Sequence, residues 1–175
     1  MTSLFLRTGV IAAVAPLAAA SAFGQVTAHP NEGTAGEYFE TALNVPDGCE
    51  TSPTVSLRVK IPENVTLVKP QMKSGWKMKI KTRKLAQPIK LENGRTISET
   101  IEEVNWTGGP LPGDQYDNFG LRMKLPDAAG QTLWFPVVQE CKKGVRRWID
   151  IPLPGLKRPE YRNSAPFVRI VSKAP

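Results

Sequence analysis

Histidine is nearly absent: His29 is the only one in 175 residues. That excludes a His-rich metal centre and leaves a Ser-His-Asp triad with a single base near one end of the chain. Cysteine is almost as scarce, with Cys49 and Cys141 alone, and neither belongs to a CxxC pair of the kind that holds zinc. The four methionines are dispersed, which removes a Met-rich Cu(I) motif. No stretch sustains a helical period, and no Gly-rich loop leads from a strand into a helix to cradle phosphate. Internal repeats are missing too. These absences point away from an enzyme and towards a β-rich binding protein.

The first 24 residues lack Asp and Glu entirely. They carry one positive charge, Arg7, then an apolar segment from Thr8 to Leu17, then small residues, which is the pattern of a secretory signal peptide. The segment is too short to span a bilayer, and no later apolar run approaches that length. Cleavage after Ala22, Gly24 or Ala28 fits small residues at −3 and −1; Gly24 is preferred because it keeps Gln25–His29 as a first strand. The expected product is a periplasmic or secreted protein of about 150 residues, enough for one domain with its own core. In an exported chain two cysteines are expected to pair. A Cys49–Cys141 bridge would close roughly 90 residues and contribute about 4 kcal/mol in the loop-entropy model.

Sixteen prolines and fourteen glycines punctuate short β-branched runs throughout the chain. This is the pattern of an all-β sandwich or barrel. Val55, Leu57, Val59 and Ile61 alternate with Ser56, Arg58 and Lys60, so the first set is expected inward. Phe119, Leu121, Met123 and Leu125 likewise share one face of a strand. Residues 84–95, with Pro88 and Asn93-Gly94, read as a loop or hairpin, Thr107–Gly113 as a turn, and Pro166–Val171 as a last edge strand. The net charge of +7 is concentrated in Lys69–Lys90, whose cations are Lys69, Lys73, Lys77, Lys79, Lys81, Arg83, Lys84 and Lys90. Without interleaved aromatics, in an exported chain, this run reads as a solvated strand face rather than a nucleic-acid surface.

The most ordered stretch is residues 132–151. Leu133, Phe135 and Val137, then Val145, Ile149 and Ile151, flank Lys142-Lys143-Gly144, which predicts a hairpin. Its run Trp134–Cys141 (Trp-Phe-Pro-Val-Val-Gln-Glu-Cys), followed by Arg147-Trp148-Ile149, resembles the YcnI-like family of bacterial secreted copper-binding domains. Gly48-Cys49-Glu50 with Ser52-Pro53-Thr54, Lys69-Pro70 with Gly75-Trp76, and Trp106–Gly109 carry the same resemblance, which covers most of residues 25–152.

The resemblance implies one immunoglobulin- or cupredoxin-like β-sandwich over residues 25–175, binding Cu(II) near the mature amino terminus. It further implies a role in copper handling or trafficking, with other copper-handling proteins as partners. In the family, the terminal amine and imidazole of a first His bind Cu(II) with a carboxylate, beside a Trp. Glu50 matches the carboxylate position and Trp148 the Trp. Gln25 stands where the family has its His. A terminal Gln offers an amine and an amide oxygen, poorer donors for copper than imidazole. His29 is the alternative ligand, but in an extended strand it lies roughly 13 Å from residue 25. The competing expectation is a metal-free interaction module that keeps the fold and has lost the ligand.

Overall fold

Twelve strands and no helix make up the residues described by the computed structural model, 24–152 and 163–173. In chain order they begin with β1 (Thr27–His29), β2 (Glu32–Thr34), β3 (Tyr38–Val45) and β4 (Thr54–Lys60). Then come β5 (Thr66–Pro70), β6 (Trp76–Lys90), β7 (Thr96–Leu111) and β8 (Asp117–Lys124). The chain closes with β9 (Thr132–Trp134), β10 (Val137–Cys141), β11 (Val145–Trp148) and β12 (Phe167–Val171). They form three sheets, ordered β1-β3-β8-β5, β11-β10-β4-β7-β6 and β2-β12-β9. The expected signal peptide, apart from Gly24, lies outside the described residues.

Alternation decides which face of each strand is buried. Phe119, Leu121 and Met123 of β8, with Leu125 after it, all point into the core, as do Leu43 and Val45 on the neighbouring β3. From the five-stranded sheet, Leu57, Val59, Val104, Trp106 and Val137 meet them. Phe119 is the join between the layers. Its ring lies 5.4 Å from Trp106 and 5.1 Å from Trp76, both edge-on. Truncating such a side chain to Ala typically costs about 3–5 kcal/mol.

Four details depart from the sequence expectations. Val55 is only half-buried, whereas Thr54 and Ser56 are buried, because the β4–β7 register shifts between Thr54 and Ser56 and reverses the alternation there. Residues 84–90 continue β6, so the hairpin turn shrinks to 91–95; Pro88, which has no N–H to give, sits where the pairing skips from Lys84↔Glu99 to Ile89↔Ile97. Thr107–Leu111 is strand, not turn. The glycines there make room: a Cβ on Gly109 would sit 2.5 Å from Trp76 Cζ2. Finally, β12 lies between β2 and β9, hydrogen-bonded on both sides, rather than at an edge.

The hairpin forms between β10 and β11, with Cys141 N donating to Gly144 O across the turn. Its upstream half divides at Phe135-Pro136: β9 pairs with β12, and β10 with β4. Val145, Ile149 and Ile151 are exposed because β11 is an edge strand that ends at Trp148. The tip is tied down by the Cys49–Cys141 disulfide, by Lys142 N donating to Pro53 O and by Lys143 N donating to Ser52 Oγ.

Candidate functional site at the amino-terminal end

Pairing of β1 with β3 sets Thr27 opposite Asn44 and so carries the chain before β1 alongside Pro46 and Asp47. The approach is close: a Cβ on Gly24 would lie 2.5 Å from Pro46 Cγ. Gly24 N donates to Asp47 Oδ2 at 3.3 Å, while Arg146 Nη1 of β11 pairs with Asp47 Oδ1 at 2.7 Å. One carboxylate therefore faces both the amino-terminal segment and the hairpin edge.

Asp47 also joins a buried polar network. Gln139 of β10, 1% exposed, donates through Nε2 to Asp47 O at 2.7 Å and to Thr54 Oγ1 at 2.8 Å. Its Oε1 accepts from Trp148 Nε1 at 3.3 Å. Both amide hydrogens and the amide oxygen are thus used, as a side chain so deeply buried requires. Trp148 is buried, as a hairpin-strand Trp packing into the core should be, and this one amide links its indole N–H to the Asp47 main-chain carbonyl.

The other sequence candidates are dispersed around this end. Gln25 is exposed and donates its Nε2 to Ser164 O at 2.6 Å. Glu50 is exposed, at φ 59°, on a turn closed by Cys49 N to Ser52 O and Ser52 N to Cys49 O. Its carboxylate has no hydrogen bond or ion pair among the described residues. His29 lies on a separate shallow cleft with Glu40, Lys69 and Arg122, where two cations oppose a metal ion. Among the described residues no group of three or more His, Cys, Asp or Glu is placed to hold a metal. Asp47, which this end of the fold brings against the amino-terminal segment, was not singled out from the sequence. Only the β1–β3 register, which sets residue 25 beside Pro46 and Asp47, brings it there.

The donors at this end are the Asp47 and Glu50 carboxylates and main-chain nitrogen, with no imidazole among them. If the chain starts at Gln25, the Gly24 N–H that Asp47 Oδ2 accepts is gone, and the Gln25 amine is the next main-chain nitrogen along.

A family profile for a domain of unknown function, DUF1775, matches residues 25–170. The YcnI-like proteins that the sequence resembles are members of that family. Among solved structures, an uncharacterized protein from Nocardia farcinica with an immunoglobulin-like fold is 26% identical. The match covers 84% of this chain and 98% of that one, with a TM-score of 0.60, and it agrees with the all-β sandwich read from the sequence. No curated protein matches.

Proposed function

The chain belongs to the DUF1775 family, and on that premise we propose that it is an exported, non-enzymatic copper-handling protein that binds Cu(II) at its amino-terminal end. The observation carrying this reading is the β1–β3 register, which sets the Asp47 carboxylate beside Gln25, the residue at the family's His position. The Gln25 amine would supply nitrogen, and Asp47 with Glu50 the carboxylate oxygens. Trp148, reached from Asp47 through Gln139, would report binding by fluorescence. A disulfide supports an oxidising compartment, periplasmic or extracellular. Other copper-handling proteins are the natural partners.

One observation favours a second reading, a metal-free interaction module: Gln25 replaces imidazole and its amide is already bonded to Ser164 O. A Cu(II) titration of the mature protein, its amino terminus fixed by intact mass, separates the two. We expect weak binding that Gln25→His tightens by at least about tenfold, equivalent to 1.4 kcal/mol. Asp47→Asn and Glu50→Ala should each weaken it, and His29→Ala should not. Absence of binding by both the natural protein and Gln25→His would establish the metal-free reading. Loss of binding in His29→Ala alone would move the site to that residue.

A further inference from the structure

Between the β6–β7 arm and the β5 edge of the four-stranded sheet lies a half-open cleft of about 630 Å³. That is within the range of small-molecule sites, roughly 300–1,000 Å³. Its apolar lining comes from Leu67 and Val68 on one side and Ile97 and Ile101 on the other. Lys69, Arg95 and Arg122 also line it, against one acid, Glu99. Lys69 and Arg95 make no side-chain hydrogen bond or ion pair among the described residues. Arg122 meets Glu40 at 3.5 Å in an exposed pair, an interaction of small net value. Tyr38 presents its ring beside the Arg122 guanidinium, 5.5 Å from the centroid.

Two further features set the cleft apart from ordinary surface. Leu67 holds φ 51°, rare for a residue other than glycine, within the irregular pairing between Thr66 and Lys69. Thr100, which also lines the cleft, has its Oγ1 buried without a hydrogen-bond partner, as has Nε of its cross-strand neighbour Arg83.

We infer that this cleft binds an amphiphilic organic anion, its head on Lys69 and Arg122 and its hydrocarbon body on Leu67, Ile97 and Ile101. Burying apolar surface drives the tail in. The cations set the sign of the head group and its position at the mouth. A neutral amphiphile lacks the second interaction, and a bare anion lacks the first. Neither should bind comparably.

The test is calorimetric titration of the mature, oxidised protein with decanoate, beside acetate, octyl glucoside and phosphatidylglycerol vesicles. Saturable one-site binding of decanoate is expected, with acetate and octyl glucoside each at least about tenfold weaker. The exposed pair Lys69→Gln/Arg122→Gln should lose a similar factor, as should Ile97→Ser. Lys77→Gln/Lys79→Gln, which removes the same charge from β6 outside the cleft, should leave the affinity unchanged. Equal weakening by the two double variants would reduce the effect to net charge and overturn the site. So would equal affinity for octyl glucoside, binding to vesicles without binding to free decanoate, or no saturable heat.

Discussion

Gln139→Leu tests the network that links the amino-terminal end to Trp148. Leu has nearly the volume of Gln, so the core is neither emptied nor overfilled, and the change is confined to hydrogen bonding. Three partners lose their bonds: Asp47 O at 2.7 Å, Thr54 Oγ1 at 2.8 Å and Trp148 Nε1 at 3.3 Å. Thr54 is 0% exposed and Trp148 5%, so neither recovers a full bond to water. A buried polar group left unpaired costs about 1–3 kcal/mol. The longer Trp148 bond counts for less, which puts the total at about 4 kcal/mol, a large share of the 5–15 kcal/mol typical of a domain. With a urea m-value of about 2 kcal/mol/M, the midpoint should fall by roughly 2 M. Urea unfolding of the mature oxidised protein, followed by circular dichroism, reads this directly. A loss under about 1 kcal/mol would refute the reasoning, because it would mean that these groups find water or each other without Gln139.

Other expectations follow from single features. In the denatured but unreduced protein, alkylation should label neither Cys49 nor Cys141, and reduction should lower stability by about 4 kcal/mol; labelling of both before reduction would disprove the bridge. Gly48→Ala would place a Cβ 2.1 Å from Ser52 O and 2.9 Å from Gly113 Cα, both backbone atoms. We expect a loss of about 3 kcal/mol and a melting temperature lower by roughly 6–12 °C; an unchanged temperature would show that the turn can open. Any DNA binding by the basic β6 strand should vanish by physiological ionic strength, and sequence-dependent binding that survives added salt would refute the solvated-face reading.

Legibility of the fold tracked how far local pattern and tertiary pairing agreed. Phe119, Leu121, Met123 and Leu125 follow period two through an unbroken register with β3, so their burial was readable from the chain alone. Val55 was not, because the bulge that turns it outward is set by β7, some fifty residues away. Gly108 and Gly109 read as breakers in sequence, yet their role is spatial: Gly109 admits the ring of Trp76, and Gly108 lets the paired backbone at Gly75 approach. Pro166–Val171 read as an edge because it follows a loose, proline-rich stretch. Its two neighbours, β2 and β9, come from distant parts of the chain, and no local signal announces them.

The residues around the amino-terminal end were only partly legible in the sequence. Cys49 and Cys141 stood out by rarity and Trp148 by the family resemblance; the fold joins the cysteines and buries the indole. Asp47 did not, since an aspartate before a glycine in a loop is ordinary turn chemistry. What makes Asp47 distinctive is convergence: Arg146 and Gln139 reach it from the two hairpin strands, and the β1–β3 register brings the amino-terminal segment alongside. Glu50, by contrast, stands exposed on the turn beside the disulfide, with no partner for its carboxylate among the described residues. A ligand at this end would meet one carboxylate that is positioned and one that is not. The positioned one shares its oxygens with Arg146, whose charge opposes a cation. Releasing Arg146 should therefore favour metal over the ion pair. Arg146→Gln in the Gln25→His background should bind Cu(II) more tightly than Gln25→His alone, and equal or weaker binding would show that Asp47 serves the fold rather than a ligand.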